Sequence, residues 1–93
     1  MTRTALVTGG TRGIGAAISV ALKDAGYTVG VNYAGNDEAA AAFTERTGIK
    51  AWKWSVADYE ACVDGIAQVE AEIGPVAILV NNAGITRDRK SVV

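Results

Sequence analysis

Residues 8–15 of the chain read TGGTRGIG. A short apolar run precedes this segment and an apolar-periodic segment begins at Ile14, so the sequence predicts a strand, a glycine-rich turn and a helix in succession. Glycine in such a turn permits a tight bend, close approach of the backbone to a phosphate and close packing of the helix on the sheet. The first amide groups of the helix suit a pyrophosphate, whereas an ordinary turn is the alternative for a glycine-rich loop taken alone.

The composition is that of one small, soluble globular unit. The chain has 93 residues, 49% of them hydrophobic and 20% charged, with a formal net charge of −1. This balance gives no basic surface for a nucleic-acid backbone, and no apolar stretch reaches the ~20 residues of a membrane span. The single cysteine, Cys62, excludes an internal disulfide, and no signal-peptide pattern is present, so a cytoplasmic location is expected.

The segments after the turn alternate between helix and strand patterns. Strands are predicted at residues 4–8, 28–33, 49–56 and 76–80. Helices are predicted from Ile14 to Gly26, from a cap at Asn36 or Asp37 to Gly48, and from Asp58 to Gly74. Because crossovers between parallel strands are right-handed, this alternation predicts an α/β fold, the amino-terminal half of a doubly wound Rossmann fold with a parallel sheet of order 3-2-1-4 and helices on both faces. Residues 1–88 are assigned to this single nucleotide-binding unit.

Side-chain periodicity predicts which faces of these elements are buried. The apolar stripe of the first helix consists of Ile14, Ala17, Ile18, Ala21, Leu22 and Ala25. Trp52 and Trp54 share one face of the third strand, where core packing is favoured over stacking on a ligand. Cys62 belongs to the buried stripe of the third helix and is interpreted as a core residue, with Gly65 as a weak point of that helix.

A second motif, NNAG at residues 81–84, directly follows the fourth strand. In the predicted order the first and fourth strands are neighbours, so this motif meets the glycine-rich turn at the carboxyl edge of the sheet, where ligands bind in such folds. Taken alone, two asparagines after a strand are equally compatible with a turn. The two motifs together resemble the short-chain dehydrogenase/reductase family, in which TGxxxGxG and NNAG occur in this order. The similarity extends from about Arg3 to Asp88.

Within this family the chain is similar to the reductases of 3-oxoacyl thioesters, chiefly through residues 8–15, 32–38 and 85–88. The resemblance implies reduction of acetoacetyl-CoA to 3-hydroxybutyryl-CoA, as in polyhydroxybutyrate synthesis. The alternatives are reduction of a 3-oxoacyl-acyl-carrier-protein in fatty-acid synthesis and a truncated nucleotide-binding product without catalytic activity. Full-length relatives are expected to form homotetramers.

The resemblance also implies a set of residues around an NADP cofactor. They are Gly9, Arg12, Gly13, Ile14, Gly15, Tyr33, Ser55, Val56, Asn82, Ala83 and Gly84. NADPH is favoured over NADH because Arg12 suits the 2′-phosphate and because residues 32–34, at the end of the second strand, lack an acid to bind a ribose 2′-hydroxyl. A solvated loop charge is the alternative for Arg12. Asp37 or Glu38 would favour NADH if the strand ended a few residues later, but both are better interpreted as acids at a helix amino end.

No catalytic residue and no metal site are assigned. In the family a Ser, an Asn and a Tyr-x-x-x-Lys pair, all beyond the fourth strand, hold the substrate carbonyl and supply the proton. Tyr27, Tyr33 and Tyr59 each lack a lysine four positions later, so the 93 residues alone are expected to be inactive. Residues 89–93 do not resemble the relatives and are expected to be an unrelated or frayed tail, after a truncation or frameshift near Asp88.

Overall fold

The computed structural model describes residues 3–82, which form a four-stranded sheet and three helices. In chain order the elements are β1 (Thr4–Thr8), α1 (Gly13–Asp24), β2 (Thr28–Tyr33), α2 (Asp37–Thr47), β3 (Lys50–Lys53), α3 (Tyr59–Ile73) and β4 (Val76–Val80). All neighbouring strands are parallel, and their order is β3-β2-β1-β4. The predicted α/β fold and strand order are confirmed, as are the bounds of β1, β2 and β4.

β1 runs through the middle of the sheet and is buried along its whole length. Its consecutive residues Leu6 and Val7 belong to two different hydrophobic clusters. The Val7 cluster contains Val29, Val31, Phe43 and Ile49, and the Leu6 cluster contains Trp52, Trp54 and Val69. Because successive side chains of a strand point to opposite faces, the sheet is covered on both faces. The prediction that the two tryptophans pack in the core is confirmed.

The amino ends of α2 and α3 are fixed by side chains that accept backbone hydrogen bonds. The Ala39 amide donates to the Asn36 side chain at 2.9 Å, and the Ala61 amide donates to the Asp58 side chain at 3.1 Å. Asn36 is therefore the cap of α2, and the cap predicted at Asp58 is confirmed. Each such bond satisfies an amide that has no partner within its own helix. None of the helices within residues 3–82 is long and apolar enough to cross a membrane.

The buried face of α1 differs from the predicted apolar stripe. Ile14 is 72% exposed, whereas Gly15 and Ser19 are the buried positions of this helix. The Ser19 hydroxyl donates to the Gly15 carbonyl at 2.7 Å, so this polar side chain is satisfied within its own helix. The stripe prediction is confirmed for Ile18 and Leu22, which pack against the Val7 cluster, and was wrong for the exposed residues Ile14, Ala17, Ala21 and Ala25. The helix makes a close contact with the glycine-rich turn through Gly15, and such a contact selects small residues, whatever their polarity.

Two further differences concern β3 and α3. β3 is shorter than the predicted strand at residues 49–56 because its partner β2 ends at Tyr33, which pairs with Lys53. Gly65, interpreted as a weak point of the helix, has a packing reason that the sequence did not reveal, since a Cβ at this position would lie 2.3 Å from the Trp54 ring. Gly65 is the place where α3 crosses that ring.

Candidate functional site

The turn between β1 and α1 depends on glycine at three positions. Gly9 has a φ of 63°, in the left-handed region that other residues avoid. A Cβ on Gly10 would lie 2.5 Å from Cγ1 of Val31, and a Cβ on Gly15 would lie 2.2 Å from the Gly9 carbonyl oxygen. The turn therefore packs directly on β2, and the first turn of α1 packs directly on Gly9.

The amino end of α1 lacks the side-chain cap that α2 and α3 have. Its N-cap residue is Arg12, whose side chain accepts no hydrogen bond from the helix, and no acid occurs in the first helical turn. Amides at this position have no partner within the helix, and the helix dipole is positive here. Backbone amides and the positive end of the dipole thus offer a place where an anionic group can bind, and Arg12 adds a positive charge beside it.

Asparagine side chains connect the end of β4 to the turn. The Asn82 side-chain amide donates to the Gly9 carbonyl at 3.1 Å. The Thr8 hydroxyl lies 3.3 Å from the Val80 carbonyl and 3.4 Å from Oδ1 of Asn81. The predicted meeting of the glycine-rich turn with the residues after β4 is confirmed for Asn81 and Asn82. The predicted site residues Ala83 and Gly84 lie outside the described residues.

A first pocket, of about 250 Å³, opens between the glycine-rich turn and the end of β2. It is lined by Gly9, Thr11, Arg12, Tyr33, Ala34, Gly35 and Asn36. Three residues assigned to the cofactor, Gly9, Arg12 and Tyr33, are thus brought together. Arg12 lines this pocket, and neither of the two ion pairs found within residues 3–82 involves it.

Tyr33 and Asp37 form a small polar cluster beside the first pocket. The Tyr33 hydroxyl donates to Oδ1 of Asp37 at 2.9 Å, and Nζ of Lys53 lies 3.3 Å from Oδ2 of the same carboxylate. The hydrogen bond to Asp37 raises the pKa of Tyr33, and the same bond, together with Lys53, lowers the pKa of Asp37. Both oxygens of Asp37 are therefore engaged at the start of α2, and β2 ends at Tyr33 as predicted.

A second pocket, of about 260 Å³, lies between the sheet and α3. It is lined by Leu6, Thr8, Trp54, Val56, Cys62, Ile66, Leu79 and Asn81. Val56 is thus placed near the ends of β1 and β4, as a residue beside a ligand at this sheet edge would be. Ser55 does not line either pocket, and its hydroxyl accepts a hydrogen bond from the Ala57 amide at 3.2 Å.

The remaining site predictions fall on the first residues of α1. Gly13 begins the helix with a φ of 57°, and the Ile14 side chain points away from the sheet into solvent. Within residues 3–82 no three His, Cys, Asp or Glu side chains group in a way that could hold a metal ion.

A family model of the short chain dehydrogenases matches residues 3–92. The chain belongs to this family. A short-chain dehydrogenase works with a nicotinamide cofactor, and the glycine-rich turn fits the pyrophosphate of such a cofactor. The fit rests on the uncapped start of α1, whose first amides have no partner within the helix, and on the close contacts at Gly10 and Gly15, which hold the turn against β2 and α1.

Curated relatives of this short-chain dehydrogenase include two acetoacetyl-CoA reductases. The chain is 76% identical over 88 residues to the reductase of Paracoccus denitrificans and 72% identical to that of Rhizobium meliloti (strain 1021). Each match covers 95% of this chain and 36% of the relative, so the chain spans little more than a third of their length. The 3-oxoacyl-[acyl-carrier-protein] reductase FabG of Staphylococcus aureus (strain Mu50 / ATCC 700699) is 46% identical over 93 residues, covering 95% of this chain and 38% of the relative.

Two solved structures have the same fold as this chain. A double mutant of the Serratia marcescens enzyme aligns with a TM-score of 0.81 and 38% identity, over 90% of this chain and 36% of that one. BdcA, solved in complex with NADPH, aligns with a TM-score of 0.78 and 39% identity, over 91% of this chain and 33% of its own.

Sequence reasoning missed two residues that shape the site of this short-chain dehydrogenase. Gly10 was treated as a variable position of the motif, yet its lack of a side chain lets the turn rest on Val31. Asn32 was considered only because it lies where an acidic residue would have favoured NADH. Its buried side chain in fact accepts a hydrogen bond from the Gly9 amide at 3.3 Å. A signal for Asn32 did exist, because asparagine is depleted within strands and needs partners when it is buried there.

Proposed function

We propose that a protein with this chain as its amino-terminal part reduces acetoacetyl-CoA to 3-hydroxybutyryl-CoA with NADPH. The observation that carries the proposal is the position of Arg12, which is the N-cap residue of α1, lines the first pocket and takes part in neither ion pair of the described residues. A guanidinium beside backbone amides suits the 2′-phosphate and the pyrophosphate of NADPH. The choice of substrate is supported by identities of 76% and 72% to two acetoacetyl-CoA reductases.

In this reaction NADPH supplies the hydride. The residues of this chain bind and orient it. We assign the amides at Gly13, Ile14 and Gly15 to the pyrophosphate, with Gly9 shaping the turn, and Arg12 to the 2′-phosphate. Tyr33, Ser55 and Val56 are assigned to the adenosine, and Asn82, Ala83 and Gly84 to the adenosine and nicotinamide riboses. Asn82 also holds the turn against β4 through its bond to the Gly9 carbonyl.

Reduction of the substrate carbonyl also requires a proton at the new hydroxyl. None of the tyrosines in these 93 residues is followed by a lysine four positions later. By resemblance to the family, the Ser and the Tyr-x-x-x-Lys pair that hold and protonate the carbonyl come from sequence beyond β4. The proposed role of the present chain is therefore to place the cofactor.

A chimera tests the proposed function. Residues 1–88 of this chain replace the matching residues of the Paracoccus denitrificans reductase in one chimera and those of the Staphylococcus aureus FabG in another, and NADPH oxidation is followed with the substrate of each parent. We expect turnover close to that of the parent in the Paracoccus denitrificans chimera, because this chain places the cofactor and the parent supplies the groups that hold the carbonyl. Parent-like turnover in the FabG chimera alone would favour the FabG-like alternative. A folded chimera that binds NADPH without turnover would favour a chain that only binds nucleotide.

Replacing Arg12 tests the preference for NADPH. In the Paracoccus denitrificans chimera, Arg12→Ala should weaken NADPH binding about 10- to 100-fold, because charge-assisted hydrogen bonds to the 2′-phosphate are lost. It should leave NADH affinity nearly unchanged, because NADH has no 2′-phosphate. The measurement is the kcat/KM for each cofactor. Arg46→Ala is the charge-matched control, because Arg46 lies over the Phe43 ring on α2 and away from the pocket. Equal losses for NADPH and NADH would contradict the assignment of Arg12 to the 2′-phosphate.

Three further assignments follow the same resemblance. We infer a role in polyhydroxybutyrate synthesis, a homotetrameric full-length protein and a cytoplasmic location. The location is supported by the single cysteine, Cys62, which has no partner for an internal disulfide.

A further inference from the structure

We propose that Asn32 is a positioning residue that locks the glycine-rich turn in the geometry that binds the pyrophosphate. This inference rests on the proposed cofactor binding. Asn32 lies in β2, beside β1, and its exposed fraction is 1%. Its ladder neighbours are Thr8 at the end of β1 and Trp52 in β3. It is therefore buried near the carboxyl ends of the strands, where the glycine-rich turn begins.

Asn32 has a partner for each part of its side chain. Its Oδ1 accepts a hydrogen bond from the Gly9 amide at 3.3 Å, and its Nδ2 donates to the Trp54 carbonyl at 2.8 Å. Its own backbone carbonyl accepts from the Gly10 amide at 3.2 Å. Because the bond to Trp54 fixes the orientation of the side-chain amide, Oδ1 is held toward the turn and cannot exchange places with Nδ2.

Gly9 is thereby held from both sides of β1. Asn32, on β2, accepts from its amide, and Asn82, after β4, donates to its carbonyl at 3.1 Å. The first turn of α1 rests on that same carbonyl, since a Cβ on Gly15 would lie 2.2 Å from it. The orientation of Gly9 consequently determines where the first amides of α1 point, and Asn32 is one of the two side chains that set this orientation.

A merely structural asparagine would contribute stability without affecting the ligand. Asn32→Leu keeps a similar side-chain size but removes both side-chain hydrogen bonds. We expect it to weaken NADPH binding to the Paracoccus denitrificans chimera at least about tenfold, measured by titration under conditions in which the variant is folded. Thr4→Val is the matched control, because the buried Thr4 lies at the amino end of β1, away from the turn. Its hydroxyl donates to the Ile73 carbonyl at 3.0 Å. Thr4→Val should lower stability and leave the affinity unchanged.

Asn32→Asp provides a conservative rescue. The uncharged carboxylic acid can accept from the Gly9 amide and donate to the Trp54 carbonyl, whereas the carboxylate can only accept. An acid at the end of β2 also disfavours a 2′-phosphate, so the comparison uses NADH, which has none. The NADH affinity of this variant, divided by that of the wild type at the same pH, should rise as the pH falls, while the same ratio for Asn32→Leu stays flat. A carboxylate that acts directly on the ribose 2′-hydroxyl would give the opposite trend. Wild-type affinity in a folded Asn32→Leu, or no recovery of Asn32→Asp at acid pH, would overturn the proposal.

Amide hydrogen exchange on the wild-type chain keeps the inference testable if the variants do not fold. The amides of Gly9 and Gly10 should both be protected from exchange without NADPH, because both donate to Asn32. Unprotected exchange at Gly9 would refute the positioning role. If the chimera with the wild-type turn shows this protection but binds no NADPH, the proposed cofactor fails while the role of Asn32 in ordering the turn stands.

Discussion

Gly15→Ala is expected to weaken NADPH binding by about 100-fold and to lower the free energy of unfolding by about 1–3 kcal/mol. An added Cβ would lie 2.2 Å from the Gly9 carbonyl oxygen, 2.7 Å from Nδ2 of Asn82 and 3.0 Å from Cα of Gly10. Two of these atoms belong to the backbone of the turn, so the clash cannot be relieved by a side-chain rotation. Either α1 moves away from the turn or the turn itself changes shape.

The expected loss of stability is opposite to the usual effect of this substitution. Within a helix, Gly→Ala ordinarily stabilises the protein by about 1 kcal/mol. Calorimetric melting and titration with NADPH measure the two effects separately. Ala17→Ser is the control, since it adds one heavy atom to an exposed position of the same helix. If the Gly15→Ala protein melts at a higher temperature than the wild type and binds NADPH normally, the turn can accommodate a Cβ at position 15 and the predicted clash does not occur.

The bounds of β1, β2 and β4 and the cap of α3 could be predicted because local chemistry decides them. Asp58 was recognised as a cap because a side-chain oxygen at that position can accept an amide that the helix leaves free. The order β3-β2-β1-β4 followed from the handedness of the crossovers, which applies whatever the side chains are. These rules placed the glycine-rich turn beside Asn82 without any knowledge of tertiary contacts.

Close contacts between elements could not be predicted in the same way. Periodicity assigned Ile14 to the core, although α1 approaches the turn through Gly15 and buries Ser19. Asn32 was missed for a related reason. A polar residue within a strand is recognised as structural only when its partners are known, and those partners, Gly9 and Trp54, lie 23 and 22 residues away in the sequence.

Gly65→Ala is expected to lower the free energy of unfolding by about 1–3 kcal/mol, although Gly65 lies within a helix where alanine is normally favoured. A Cβ at this position would lie 2.3 Å, 2.5 Å and 2.7 Å from three atoms of the Trp54 ring. The ring is itself buried in the Leu6 cluster, so it can withdraw only by displacing other core side chains. For a chain of this length the change corresponds to a melting temperature lower by about 4–8 °C per kcal/mol.

A double-mutant cycle with Trp54→Leu identifies the cause of this destabilisation. Trp54→Leu removes the ring, so in that background Gly65→Ala should be neutral or stabilising by up to about 1 kcal/mol. The expected coupling between the two positions is about 1–3 kcal/mol, measured by chemical denaturation of the four proteins. Gln68→Ala, an exposed position on the same helix, is the control and should show no coupling with Trp54. If Gly65→Ala destabilises both backgrounds equally, the contact with Trp54 does not explain the glycine, and backbone flexibility of α3 at this position becomes the better explanation.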